Sequence, residues 1–93
     1  LVLVAADHKG ARLARANLSR ADLSYADLRA ADLSGVDLTK AKLVGTDFTG
    51  ATLTDATFDG AEIHHAIFNG AVGIGTVRGL QTAEGRETAT FDR

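Results

Sequence analysis

The sequence predicts an all-β solenoid over residues 6 to 70, followed by a segment of different character. A large apolar residue recurs at every fifth position from Leu13 to Phe68 without a slip. The residue two positions earlier is nearly always Ala, and the residue between them is often Asp or Asn. A chain of 93 residues is short for a conventional globular core, and a repetitive core is one way to overcome that limit.

A period of five excludes both a straight helix and a straight strand. In a helix, residues five apart are rotated by roughly 140°, so the apolar side chains would spiral around every side. In a strand, an odd period would alternate them between the two faces. The pattern therefore predicts a very short extended segment followed by a corner in each unit. Coils of such units would stack at the strand spacing of about 4.8 Å.

The repeated unit carries a family resemblance. Segments such as Ala21-Asp22-Leu23 and Ala31-Asp32-Leu33 resemble the pentapeptide-repeat family, whose motif is Ala-(Asp/Asn)-Leu-x-x. The resemblance implies a right-handed quadrilateral β-helix with four units per coil, hence about three coils, in which the Ala and Leu positions point inward. The predicted structural core consists of Leu13, Leu18, Leu23, Leu28, Leu33, Leu38, Leu43, Phe48, Leu53, Phe58, Ile63 and Phe68.

A coil of twenty residues would also align particular side chains. His8, Leu28, Phe48 and Phe68 would form one inner column, in which the two Phe rings stack directly. Leu3 is in phase with another column, so the first residues are expected to begin the coil. We therefore assign residues 1–70 to the solenoid.

The segment after Gly70 lacks the apolar period of five. The next in-phase central residues would be Gly73, Arg78, Ala83 and Thr88, none of which fills an apolar core. Residues 71–88 are therefore expected to leave the coil as a loop or capping segment, with one short helix over residues 81–84. The string Ala-Thr-Phe-Asp at residues 56–59 recurs at 89–92, which favours a restart of the repeat over residues 89–93.

No catalytic, cofactor or metal site is expected. Adjacent residues of an extended segment point apart, so His64 and His65 do not make a metal pair, and no third ligand recurs at the coil spacing. His8 is interpreted as a terminal core residue. No base is positioned by the repeat to activate the outward Ser19, Ser24 or Ser34. We therefore expect a protein that is not an enzyme and uses no cofactor.

The composition allows several kinds of partner but singles out none. The formal charge is −2 and cysteine is absent, which fits a reducing, cytoplasmic setting. No apolar stretch is long enough to span a bilayer. Among the basic residues of the early units only Tyr25 could add an exposed aromatic side chain, so nucleic acid is not expected as a partner. Uncapped solenoid ends would favour homo-oligomers.

We therefore predict a non-catalytic scaffold or protein-interaction module, forming part of a larger bacterial protein. The alternative implied by the resemblance is a DNA mimic that binds DNA gyrase, which would need closely spaced negative charge along its length. Residues 46–70 carry acidic side chains and no Lys or Arg. We accordingly predict a partner surface formed by Asp47, Asp55, Asp59 and Glu62.

Overall fold

A computed structural model of the protein describes residues 4–91, so the expectation for Leu3 lies outside the described residues. Regular pairing consists of isolated parallel β-bridges, and within the described range no strand extends beyond a single bridging residue. Two short 3-10 helices follow, at Ile74–Thr76 and Leu80–Thr82. The fold is therefore held by coil-to-coil pairing, with very little regular secondary structure within any one segment.

Four bridging positions recur in each coil. As far as Val72, every bridge joins residues twenty apart, which agrees with four five-residue units per coil. The bridges define four sides of the solenoid. Side 1 contains Asp7, Asp27, Asp47, Ile67 and Thr90; side 2 contains Arg12, Asp32, Thr52 and Val72; side 3 contains Asn17, Asp37, Thr57 and Arg78; side 4 contains Asp22, Lys42, Glu62 and Glu84.

In each five-residue unit, the residue after the bridging residue occupies the central position of its side and points into the core. All the predicted central residues are buried except Leu13, which is partly buried. From Ala21 to Ala66 the small position two residues earlier is also buried, and it accepts Val36 and Thr46 as well as Ala. The Thr46 hydroxyl donates a hydrogen bond of 2.8 Å to the carbonyl of Leu23, so this polar group is buried with a partner.

Aromatic rings form one continuous column on side 1. The Phe48 and Phe68 rings stack with centroids 4.9 Å apart and an interplanar angle of 6°, which confirms the predicted stacking. Phe58, from side 3, meets both rings edge-on at 6.0 and 5.9 Å. Phe91 stacks on Phe68 at 4.9 Å, at the position that a restarted repeat would occupy.

Each unit ends in a tight corner of defined geometry. After Leu33, for example, the amide of Val36 donates to the Leu33 carbonyl at 3.1 Å, and the Gly35 amide donates to the Thr54 carbonyl of the next coil at 2.8 Å. The last corner residue has positive φ in every five-residue unit of the described chain, with Gly at some corners and bulkier residues such as Lys40 at others. The corner therefore resembles a type II turn, whose third residue must adopt a left-handed backbone conformation.

The expectation that residues 71–88 leave the coil is wrong. Val72, Arg78 and Glu84 bridge to Thr52, Thr57 and Glu62, so this segment completes a fourth coil. The bridges join residues 20, 21, 22 and finally 23 positions apart, because one residue is added at each of three corners. A search for apolar residues at a spacing of five could not follow this change of period. The 3-10 helix at Leu80–Thr82 lies close to the short helix predicted over residues 81–84.

The first prediction concerns the core. Leu38 is fully buried, with coils on both sides of it, so Leu38→Ala should lower the free energy of unfolding by about 2 to 5 kcal/mol through lost burial and a cavity. Leu13→Ala is the matched control and should cost less, because Leu13 is only partly buried. Urea unfolding followed by circular dichroism measures both. A loss below about 0.5 kcal/mol for Leu38→Ala would match a surface substitution and contradict its inward position.

The second prediction concerns the corners. Ala30 is exposed at φ +59°, a conformation that an L-residue adopts only at a cost, so Ala30→Gly should stabilise the protein by about 0.5 to 1 kcal/mol. Ala14 is also exposed but lacks positive φ, so Ala14→Gly should destabilise by about 0.5 to 1 kcal/mol. Thermal unfolding of the two variants should therefore shift in opposite directions. Shifts of the same sign would contradict the assigned corner geometry.

Candidate interaction surface

Side 1 presents a ladder of charged side chains. Asp7, Asp27 and Asp47 lie on successive coils, an arrangement in which like charges repel. Arg29 offsets this repulsion, because its Nε and Nη2 atoms donate to the Asp27 carboxylate at 2.9 and 2.7 Å. Asp27 is the first cause of a raised pKa for Arg29, and the charges of Asp47 and Asp7 raise it further. The ladder is therefore a mixed-charge surface with a fixed geometry.

The outward Asp and Asn side chains brace the corners. The Oδ1 atom of Asp32 accepts hydrogen bonds from the amide and hydroxyl of Ser34 at 3.1 and 2.7 Å. Asn17 makes the same pair of bonds with Ser19, at 3.1 and 2.7 Å. The same backbone bond, from the amide two residues ahead, is accepted by Asp7, Asp22, Asp27, Asp37 and Asp47. These carboxylates thus stabilise the turn locally.

In four units the bracing bonds favour the ionised form of the carboxylate and lower its pKa. Hydrogen bonds from the Arg29 side chain and then its backbone lower the pKa of Asp27 to about 2. The Ser34 hydroxyl, followed by the Ser34 amide, lowers the pKa of Asp32, and Thr39 acts in the same way on Asp37. The backbone amide of Ser24 is the main cause of the lowered pKa of Asp22. Each bond is donated to a charge, which strengthens the bond and stabilises the anion.

Three of the four solenoid corners carry large side chains that lean over glycine in the next coil. A Cβ added at Gly45 would lie 2.5 Å from Cε1 of Tyr25, and one at Gly35 would lie 3.2 Å from Cγ of Arg15. Tyr25 is nevertheless 64% exposed. The residues at these corners are Arg15, Gly35 and Asp55 between sides 2 and 3; Arg20, Lys40 and Gly60 between sides 3 and 4; and Ala5, Tyr25, Gly45 and His65 between sides 4 and 1.

The corner between sides 1 and 2 is different. Its last residues are Gly10, Ala30, Gly50 and Gly70, all of them exposed. No large side chain occupies this last corner position in any of the four coils, although Lys9 and Arg29 precede it in the first two. We name sides 1 and 2 together with this corner the smooth surface. Its signal is present in the sequence as small residues at a spacing of twenty, but it becomes visible only when residues are aligned by coil.

The four acidic residues predicted to form a partner surface do not lie on one side. Asp47 is on side 1, Asp55 is at the corner between sides 2 and 3, and Glu62 is on side 4. Asp59 follows the central Phe58 of side 3. They surround the third coil because a twenty-residue coil distributes residues 47–62 over all four sides. The predicted partner surface is therefore a belt around the third coil and not a patch on one side, and only Asp47 belongs to the smooth surface.

Local structural contacts account for Ser19, Ser34, His64 and His65, whereas the buried Nε2 atom of His8 has no hydrogen-bond partner in the described chain. The Ser19 and Ser34 hydroxyls bond to the bracing Asn17 and Asp32. His64 lies against Gly85, and the His65 amide donates to the Thr88 hydroxyl at 3.1 Å. Between residues 4 and 91 there is no cluster of three or more metal-ligating side chains and no detectable cavity. None of the helices in that range could cross a membrane.

The third prediction concerns pH. Four of the carboxylates that brace the corners have a lower pKa in the folded chain than the value of about 3.9 for an unfolded Asp, namely those of Asp22, Asp27, Asp32 and Asp37. Their stabilising contribution is therefore complete above that value. It is lost as the pH falls towards their folded pKa, which for Asp27 is about 2. The melting temperature should therefore be constant above about pH 5 and decrease between about pH 5 and pH 2.

Two variants at one position separate the charge from the turn bond. Asp32→Asn should keep the melting temperature near that of the wild type at pH 7, because Asn17 already makes the equivalent bonds, and should reduce the decrease in acid. Asp32→Ala should lower the melting temperature at both pH values. Equal behaviour of the two variants would show that the bracing bond does not contribute.

The comparisons with known proteins agree on one family. The chain resembles the solved structure of a pentapeptide repeat protein from the cyanobacterium Cyanothece 51142, with 28% identity and a TM-score of 0.54 over 99% of this chain and 63% of that one. It also resembles a pentapeptide repeat protein from the thylakoid lumen of Arabidopsis thaliana, with 38% identity and a TM-score of 0.51 over 75% and 52% of the two chains. The chain thus spans less than two thirds of either protein. No curated protein matches it.

The family assignment follows from the repeat itself. The sequence profile of the pentapeptide repeats family matches residues 2–35 and 31–70, with eight copies of the repeat. Proteins of this family form right-handed quadrilateral β-helices and are generally non-catalytic. The twenty-residue spacing of the bridges and the inward Ala and Leu positions of this chain agree with that fold. This chain therefore belongs to the pentapeptide-repeat family.

Proposed function

We propose that this chain is a non-catalytic scaffold that binds a protein partner along the smooth surface, as part of a larger protein. The observation that carries the proposal is the corner of Gly10, Ala30, Gly50 and Gly70. A partner that spans sides 1 and 2 meets only small residues at the last position of the corner between them, with Lys9 and Arg29 beside it as charged contacts. Every other corner carries at least one large residue at that position.

The charges of side 1 support a protein partner over a nucleic acid. Asp7, Asp27 and Asp47 would repel phosphates, while Lys9 and Arg29 alternate with them along the same side. A surface of mixed charge complements another protein surface of mixed charge, and such complementarity selects the partner and its orientation. The ion pair between Asp27 and Arg29 and the turn bonds hold these groups in place before binding. Less side-chain entropy would then be lost on association.

The charge distribution does not favour mimicry of DNA. Duplex DNA presents one negative charge per roughly 1.7 Å of axis. Here Asp47, Asp55, Asp59 and Glu62 surround one coil and are not aligned along the axis, and the first coils carry Lys9, Arg12, Arg15 and Arg20. A gyrase surface that lies along one side of the solenoid would meet few of these acidic groups at once.

The fourth prediction tests the smooth surface. Ala30→Arg places a long side chain at the smooth corner without requiring a new backbone conformation, because Arg20 already occupies the equivalent position of another corner at φ +63°. Lys40→Glu is the control, since it changes the charge at the same unit position between sides 3 and 4. In affinity capture from an extract of the encoding organism, followed by calorimetry with the purified partner, Ala30→Arg should weaken binding at least about tenfold, the effect expected at a binding hot spot. Lys40→Glu should bind as the wild type does.

Equal binding by the two variants would contradict the proposal that the partner binds along the smooth surface. The chain should also leave gyrase supercoiling unaffected at micromolar concentration. Salt-sensitive inhibition that disappears when Asp47, Asp55 and Asp59 are neutralised would contradict the scaffold and favour mimicry.

A further inference from the structure

The fourth coil is built from its own repeated unit. Residues 71–76, 77–82 and 83–88 each read (Ala/Val)-x-Gly-x-x-Thr. Each segment is one residue longer than the pentapeptide, yet Val72, Arg78 and Glu84 still bridge to the coil beneath. The coil therefore gains three residues, from Ile67 to Thr90 (90 − 67 = 23), without losing the alignment of any side.

Glycine at the central position lets the backbone approach the preceding coil closely. Gly79 has φ +83°, and a Cβ added there would lie 2.6 Å from the amide nitrogen and 2.7 Å from Cα of Asp59. Gly73 and Gly85 are similarly close to the backbones of Thr54 and His64. Gly75, outside the pattern, has no such neighbour within 4 Å. The three patterned glycines are thus required by contact with backbone.

The threonine hydroxyl of each segment accepts a hydrogen bond that a backbone carbonyl accepts in the regular coils. In the regular coils, a corner amide donates to a carbonyl of the next coil, as from Lys40 to Asp59 at 2.8 Å. Beneath the fourth coil, the corner amides of Asp55, Gly60 and His65 donate to the hydroxyls of Thr76, Thr82 and Thr88 at 2.9, 3.2 and 3.1 Å. Each hydroxyl in turn bonds to the carbonyl of its own glycine, at 2.7 to 3.0 Å.

Together, these contacts accommodate the extra residue of each segment. The extra residue lengthens the corner, and a tight local turn takes it up, as in the 3-10 helices at Ile74–Thr76 and Leu80–Thr82. The lengthened corner moves the carbonyl that would have met the corner amide. The hydroxyl fills that place, and its own hydrogen is directed to the glycine carbonyl. An otherwise unmatched backbone donor is thereby satisfied.

We propose that (Ala/Val)-x-Gly-x-x-Thr is a second repeat unit of this solenoid, which allows a longer coil to be inserted while all four sides stay in register. Phe91 stacks on Phe68 with an interplanar angle of 5°, so the five-residue core position is recovered after three such units. The proposal concerns how the chain keeps its register and does not depend on the proposed function.

The fifth prediction uses the full 93-residue chain and amide hydrogen exchange measured by NMR. Thr82→Val removes the hydroxyl at nearly constant shape, whereas Thr82→Ser retains it. Loss of one hydrogen bond should accelerate exchange of the Gly60 amide at least about fivefold in Thr82→Val. The amides of Asp55 and His65, whose acceptors are Thr76 and Thr88, should change by less than about twofold, and Thr82→Ser should leave Gly60 close to its wild-type rate.

The comparison within each variant separates a local bond from a general loss of stability. Unchanged exchange of Gly60 in Thr82→Val would overturn the proposal, and so would equal acceleration of Gly60, Asp55 and His65. A Gly60 amide that exchanges in the wild type as fast as an unprotected one would overturn it as well.

Discussion

The parallel hydrogen bonds between coils constrain everything else in this protein. Each bridging residue has a partner on the coil above or below it, and within the described range no segment is long enough to form a strand alone. The bonds persist only if each coil returns the chain to the same position above the last one. Uniform corners, aligned columns and small inward residues are all consequences of this register.

The corners meet the register requirement at a conformational cost. A four-sided coil needs a residue with positive φ at every turn, and at several corners that residue is not glycine. A left-handed conformation is unfavourable for an L-residue, so it persists only where surrounding bonds compensate. Here the compensation comes from the turn bond, the bond to the next coil and, in many units, the bracing carboxylate. The outward Asp residues therefore stabilise the fold, independently of any contact with a partner.

The same geometry places the residues that stabilise the fold inside the coil and leaves the outward residues for recognition. In the five-residue units from Leu18 to Phe68, the inward positions hold Ala, Val or Thr in one column and large apolar residues in the next, while the outward residues vary in size and charge. One corner column happens to contain only Gly and Ala, and this joins two sides into a surface that a partner could meet. The acidic residues of the third coil illustrate the opposite case. They are close in sequence, but the coil distributes them around the axis.

The sequence by itself determined the repeated unit and the inward residues, because both follow from a period of five. The ring stack of Phe48 and Phe68 followed from the twenty-residue coil that the family resemblance implied. Only the tertiary structure decided that residues 71–88 continue the coil. It also decided on which sides the four acidic residues lie, namely Asp47, Asp55, Asp59 and Glu62. Glycine replaces the apolar residue in the fourth coil, so the hydrophobic pattern disappears although the backbone register continues. A hydroxyl that stands in for a carbonyl of the next coil can be recognised only when the two coils are placed together in space.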